Sequence, residues 1–225
     1  KMWVEFGSKG PTFYMSDNIH FGIDFSEAKS IVSAGSPPEF TAKPNRELTN
    51  LYAFTTPAGV QRASGPCALG TILHHHEIGW NHLPKDRHGH PLNDPYIHEI
   101  MRWAECPDLL GGSMGTSPST MLKALNKAVL VANWYAGNTP QATLNLIRDE
   151  LCEGRPVIVL INHGLEGEPF LLEWEVVFKI ENDEVVSKQA SAGHQDKTRT
   201  LAQFTAQMTM NLQPLSCSAI TARKD

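Results

Sequence analysis

Two apolar runs in the C-terminal half constrain this chain more than anything else in it. Residues 156–161 are continuously apolar, and residues 169–180 are nearly so. Runs of this length, rich in Val and Ile, read as buried strands. The second run meets Asn182 and Asp183 and resumes as Glu184–Gln189. Asn and Asp tolerate the left-handed backbone of a two-residue turn, so the pair predicts an antiparallel hairpin. Upstream the apolar spacing changes to three and four. Ser64 opens a helix that has Pro66 in its first turn and Leu69, Ile72 and Leu73 on one stripe, ending near Gly79. Residues 96–106 read as a second helix, stopped by Pro107. Ser117 caps a third, with Pro118 at its first position, and a strand follows at 129–135. Thr139 caps a fourth, whose Leu144, Ile147 and Leu151 share a face and which Gly154 closes. A short helix at 201–208 and a strand at 215–221 complete the pattern. Helices come first and an antiparallel sheet comes last, which is the order of an α+β fold.

Residues 1–56 form an irregular segment punctuated by Gly and Pro, with short strands at 3–6 and 12–15 and a short helix at 26–33. Residues 57–225 are the main domain, in a chain of 225 residues that reads as one compact unit. Net charge is −5 and no Lys/Arg run exceeds two residues, so a nucleic-acid partner is not expected. No apolar stretch approaches the ~20 residues of a membrane span. No signal segment is visible. The chain starts at Lys1, which fits a mature or trimmed form, secreted or periplasmic if a signal segment was removed, and the compartment stays open. Cys67, Cys106, Cys152 and Cys217 are too widely spaced for a thiolate zinc site, and fit either two disulfides or four buried thiols.

The remaining chemistry lies in acids and imidazoles. On a strand, Glu173 and Glu175 point to one face about 7 Å apart, with Trp174 and Val176 on the other. Two such carboxyls suit acid–base work or cation binding, unless the face is simply solvated. His74, His75 and His76 are consecutive on a helix and diverge, so they do not form one metal site. The run from His76 to His82 lacks zincin spacing. No metal and no cofactor is expected. His163 follows the strand at 157–161 and reaches the edge of the sheet, either as a ligand-binding residue or as an ordinary loop histidine.

Several local motifs give a resemblance. The chain reads Ser64-Gly65-Pro66-Cys67-Ala68-Leu69 at the start of the first long helix, then Gly154-Arg155-Pro156-Val157-Ile158-Val159, then Glu173-Trp174-Glu175-Val176-Val177 and the hairpin after it. Over roughly residues 57–222 this resembles the papain-like fold, in its bacteriocin-processing (double-glycine) cysteine peptidase branch. There the first motif begins with Cys-Gly-Pro and the strand opens with His. The resemblance implies that the nucleophile position falls on Ser64, the histidine position on Glu173 and the orienting acid on Gln189. The glutamine that usually lies six residues before the cysteine falls on Ala58, with Gln61 nearby.

A thiolate at a helix N-terminus and an imidazole oriented by a third group are what a cysteine peptidase requires. None of those positions carries its expected residue. Cys67, one turn beyond Ser64, is either a displaced nucleophile or a buried core thiol. The expected function is therefore a papain-like domain with a substituted triad. It binds a peptide or protein in the cleft, with Trp174, Glu175 and His163 as binding residues, or uses Glu173 for non-peptidase chemistry. The alternatives are a cysteine peptidase or amide hydrolase captured with Ser64 in place of its cysteine, and a carboxylate-dependent enzyme acting on a small molecule.

Overall fold

The computed structural model describes residues 3–7, 10–14, 20–22, 28–29, 48, 51–58, 60, 63–105, 116–164, 172–190, 195–209 and 215–224. Near the N-terminus, β1 (Trp3–Gly7), β2 (Gly10–Tyr14) and β3 (His20–Gly22) form a three-stranded antiparallel sheet. Strands are expected at the first two. A helix is expected at 26–33, but Ala28–Lys29 is strand β4, paired parallel to Trp134 and Tyr135. Two ladder residues at a sheet edge outweigh a weak local helical pattern there.

The larger sheet has seven strands. After β4 come β5 (Val131–Tyr135), β6 (Val157–Asn162), β7 (Leu172–Glu181), β8 (Glu184–Gln189), β9 (Asp196–Thr200) and β10 (Ala219–Arg223), in the spatial order β4-β5-β10-β6-β7-β8-β9. All pairs except β4 with β5 are antiparallel. The β7–β8 turn places Asn182 at φ 49° and Asp183 at φ 61°, the backbone a two-residue hairpin demands.

Five helices cover the sheet: α1 (Ser64–His75), α2 (Asn93–Trp103), α3 (Pro118–Lys127), α4 (Pro140–Cys152) and α5 (Leu201–Met208). Ser117 and Thr139 cap α3 and α4 by accepting from the backbone N–H groups of Thr120 and Ala142. The second helix begins three residues before the expected position and ends three residues before Cys106. On one face of the sheet, Leu69 and Ile72 of α1, Ile97 and Ile100 of α2 and Leu125 of α3 pack with Trp174, Val176 and Phe178 of β7. On the other, Leu144, Ile147 and Leu151 of α4 and Phe204 and Met208 of α5 pack with Val157, Val159, Ile161 and Val177. Each fully buried aliphatic side chain contributes about 1.5–3 kcal/mol. This helix-then-sheet arrangement is the α+β class read from the sequence. Among the described residues, no helix is long and apolar enough to cross a membrane.

Candidate functional site

The site assembles where the N-terminus of α1 meets the start of β7. Ser64 is the first residue of α1, not its cap as the sequence suggests. Ala63 occupies the cap position, and the Ser64 hydroxyl instead accepts the backbone N–H of Trp174 at 3.2 Å. Trp174 lies one residue outside the last β7–β8 pair, Glu175 with Gln189, so its N–H needs a partner beyond that ladder. The Trp174 indole is 5% exposed and donates to the carbonyl of Thr116 at 2.8 Å. Thr116 also presses on α1: a Cβ at Gly65 would lie 2.4 Å from its Cβ. Glycine at 65 is therefore what lets this segment reach both the helix and the strand.

The positions carried over from the resemblance meet in space. Gln189 Nε2 donates to Glu173 Oε2 at 2.8 Å, so the two side chains expected at the histidine and acid positions touch. Cys67 sits inside α1 at 2% exposure, where burial, reinforced by the charge of Glu173 and opposed by a hydrogen bond with Thr56, pushes its thiol far up. Such a thiol stays protonated, which is how a packed core cysteine behaves. Cys217 is also free and buried, whereas Cys152 is free and exposed, so the described cysteines are not uniformly buried. Cys106 and Gln61 lie outside the described residues.

Glu173 and Glu175 share a face, as their spacing requires, and that face is not solvated. Glu175 has no exposed surface, and the Glu173 side chain is 12% exposed. Glu175 Oε1 accepts from Arg199 Nη2 at 2.7 Å, and His163 Nε2 lies 2.8 Å from the same oxygen. Its Oε2 accepts from Arg199 Nη1 at 2.8 Å and from the Ser187 hydroxyl at 2.5 Å. Burial on its own would raise the Glu175 carboxyl. The hydrogen bonds from His163, Arg199 and Ser187, with the guanidinium charge, overcome it and hold the group below the usual carboxylate range.

His163, Glu173 and Glu175 bring candidate metal-ligand atoms within 4.8 Å of one another. The donor set does not suit a cation. Both oxygens of Glu175 are filled by protein donors, and a buried guanidinium lies against them. A metal would have to displace Arg199 and share its place with that positive charge.

Arg199 and Ser187 are the site residues that the sequence does not disclose. Arg199 is 4% exposed on β9, a strand of sequence Asp-Lys-Thr-Arg-Thr. The alternating Thr residues are a weak strand signal. A buried arginine in such a strand has to have a carboxylate facing it, and the two facing residues are 24 positions apart.

No family model matches the chain, and no curated protein matches it. Solved structures do. The peptidase domain of Streptococcus ComA, a bi-functional ABC transporter involved in quorum sensing, superposes with a TM-score of 0.52 at 12% identity, over 78% of this chain and all of that domain. A double-glycine-motif protease from an AMS/PCAT transporter, in complex with its leader peptide, gives 0.50 at 11% identity, over 78% and 94%. A Bacillus anthracis protein described as a C39-like peptidase gives 0.54 at 13%, over 79% and 96%.

Proposed function

With the papain-like fold of the C39 double-glycine peptidase domains as the premise, we propose that this domain holds a peptide in the cleft at the α1–β7 junction without thiol chemistry. The observation that carries the reading is the direct Gln189–Glu173 contact at 2.8 Å. It supports the reading because, on the resemblance, a carboxyl and an amide stand where a triad needs an imidazole and its orienting acid. The helix N-terminus presents Ser64, already hydrogen bonded to Trp174 N–H, in place of a thiol. Cys67 is buried and its thiol raised, which supports a packing role over a nucleophilic one. Among the described residues, no hydrogen bond joins the Ser64 hydroxyl to a base that would activate it.

Peptide as the ligand class rests on the double-glycine protease whose structure includes a leader peptide. The test uses a fluorescent leader peptide ending in Gly-Gly, with anisotropy for binding and mass spectrometry for cleavage, before and after iodoacetamide treatment. Saturable binding, weakened at least tenfold by Glu173→Lys, with no iodoacetamide-sensitive cleavage, is the expected result. Cleavage abolished by iodoacetamide, or absence of binding, overturns the reading.

A further inference from the structure

The His163 imidazole is held against Glu175, whose support by Arg199 and Ser187 the substituted triad does not use. Asn162 Oδ1 accepts from Gly164 N–H at 2.9 Å, bracketing His163 in a tight turn at the end of β6. Its Nε2 lies 2.8 Å from Glu175 Oε1, 3.6 Å from Glu173 Oε2 and 3.4 Å from Gln189 Nε2. Glu175 is in turn fixed by two guanidinium N–H groups of Arg199 and by Ser187, and Arg199 also donates to Ser187 at 3.1 Å. An ionised carboxylate only accepts, so the neutral imidazole must carry its proton on Nε2. The lone pair is then on Nδ1, which no hydrogen bond engages among the described residues. The side chain is 13% exposed. A base oriented by a buried carboxylate, its second nitrogen unengaged among the described residues, is the arrangement that general-base catalysis requires.

We propose that His163 is the proton-transferring residue of this cleft, acting on an acyl substrate, an amide or ester of peptide-like form, with water as nucleophile. Only the choice of a peptide-like substrate rests on the peptide-holding reading. Nδ1 takes a proton from water as the water oxygen bonds to the carbonyl carbon. Glu175 offsets the imidazolium charge. When the tetrahedral species collapses, its C–N or C–O bond breaks and the Nδ1 proton passes to the leaving amine or alkoxide. Glu175, Arg199 and Ser187 are positioning residues. Among the described residues, the charged groups beside the imidazole are Glu173 and Glu175 from β7, with the neutral Gln189 from β8, while Arg199 of β9 and Ser187 of β8 bind Glu175 behind it.

The probe is p-nitrophenyl acetate, an activated ester that needs no peptide recognition, hydrolysed by the full chain after iodoacetamide treatment. Saturable hydrolysis should rise with pH through a single ionisation. His163→Gln should lower kcat/KM by about 10²-fold or more and flatten that rise, because general-base catalysis is worth about 10²–10⁴. Added imidazole should restore turnover in His163→Gly. Ser187→Ala, the mildest change to the support, should lower kcat with KM unchanged. Absence of saturable hydrolysis, or a His163→Gln variant retaining the wild-type rate and pH profile, overturns the inference. Peptide anisotropy on the same His163→Gln protein separates the two readings, since lost ester turnover with retained peptide affinity points to the imidazole alone.

Discussion

Arg199 and Glu175 form a buried ion pair at 4% and 0% exposure, two N–H groups against two oxygens at 2.8 and 2.7 Å. Replacing Arg199 with Met removes both bonds, and a third to Ser187, and strands a carboxylate that has lost its counter-charge. Breaking such a pair from one side costs about 3–5 kcal/mol, because the remaining charge stays buried. Glu175→Leu should cost a similar amount by stranding the guanidinium. In the double variant no charge is left uncompensated. It leaves His163 and Ser187 short of an acceptor, at about 1–3 kcal/mol for each buried donor left unpaired. Urea denaturation of the four proteins at pH 7 closes the cycle. Either single variant should lose about 3–5 kcal/mol, and the double about 2–6 kcal/mol, less than the ~6–10 kcal/mol sum of the singles. In thermal scans, each single should melt about 6–20 °C lower. Singles that each cost under about 1 kcal/mol, or a double that equals their sum, would refute the reasoning.

Three further outcomes follow from the same geometry. Gly65→Ala puts a Cβ 2.4 Å from Thr116 Cβ, so overpacking should cost about 1–3 kcal/mol, read by urea melts, whereas Gly89→Ala, with open space around it but φ 84°, tests backbone strain without a clash. Ser64→Cys should create no peptidase activity on a fluorogenic Gly-Gly peptide, because the Ser64 hydroxyl is bonded to Trp174 N–H and no hydrogen bond links it to an imidazole among the described residues; activity on that single change would identify the chain as a peptidase with its cysteine replaced. Acid should weaken the fold in two stages. Burial, then the His75 charge, holds His76 at about 4 against an ordinary 6.5, so the stability of its neutral form is present above pH 6.5 and falls away toward pH 4. Glu175, held below its ordinary 4.5, adds stability above that pH that is lost as pH falls through its lowered value. Urea melts at pH 7, 5.5, 4.5 and 3.5 should show both losses, and stability unchanged down to pH 4 would contradict the first.

What the sequence discloses and what it hides divide along physical lines. The β7–β8 hairpin is legible because Asn182 and Asp183 take positive φ, as the turn requires, and the apolar runs on either side set the register. The caps at Ser117 and Thr139 are legible because a short polar side chain before Pro satisfies local backbone donors. Ser64 offers a similar signal, with Gly65 between it and Pro66. Its hydroxyl is taken instead by Trp174, 110 residues away, because that N–H lies beyond the end of the β7–β8 ladder. No local rule carries that information. Arg199 stays hidden for a related reason. A strand whose buried side chain is an arginine shows no apolar alternation, and its partner Glu175 is known only once β7, β8 and β9 lie side by side. His163 is visible as a residue at the sheet edge, but the sequence does not show that it touches Glu175.

Peptide binding as proposed puts the ligand across the N-terminus of α1 and the start of β7. A leader peptide with benzophenone next to its Gly-Gly end, photolysed on the protein and mapped by mass spectrometry, shows where it lies. Crosslinks are expected to residues flanking Ser64, Glu173 and Gln189, lost in the presence of excess unlabelled peptide. Crosslinks confined to the outer surfaces of α2 or α4, or indifferent to the competitor, would contradict it.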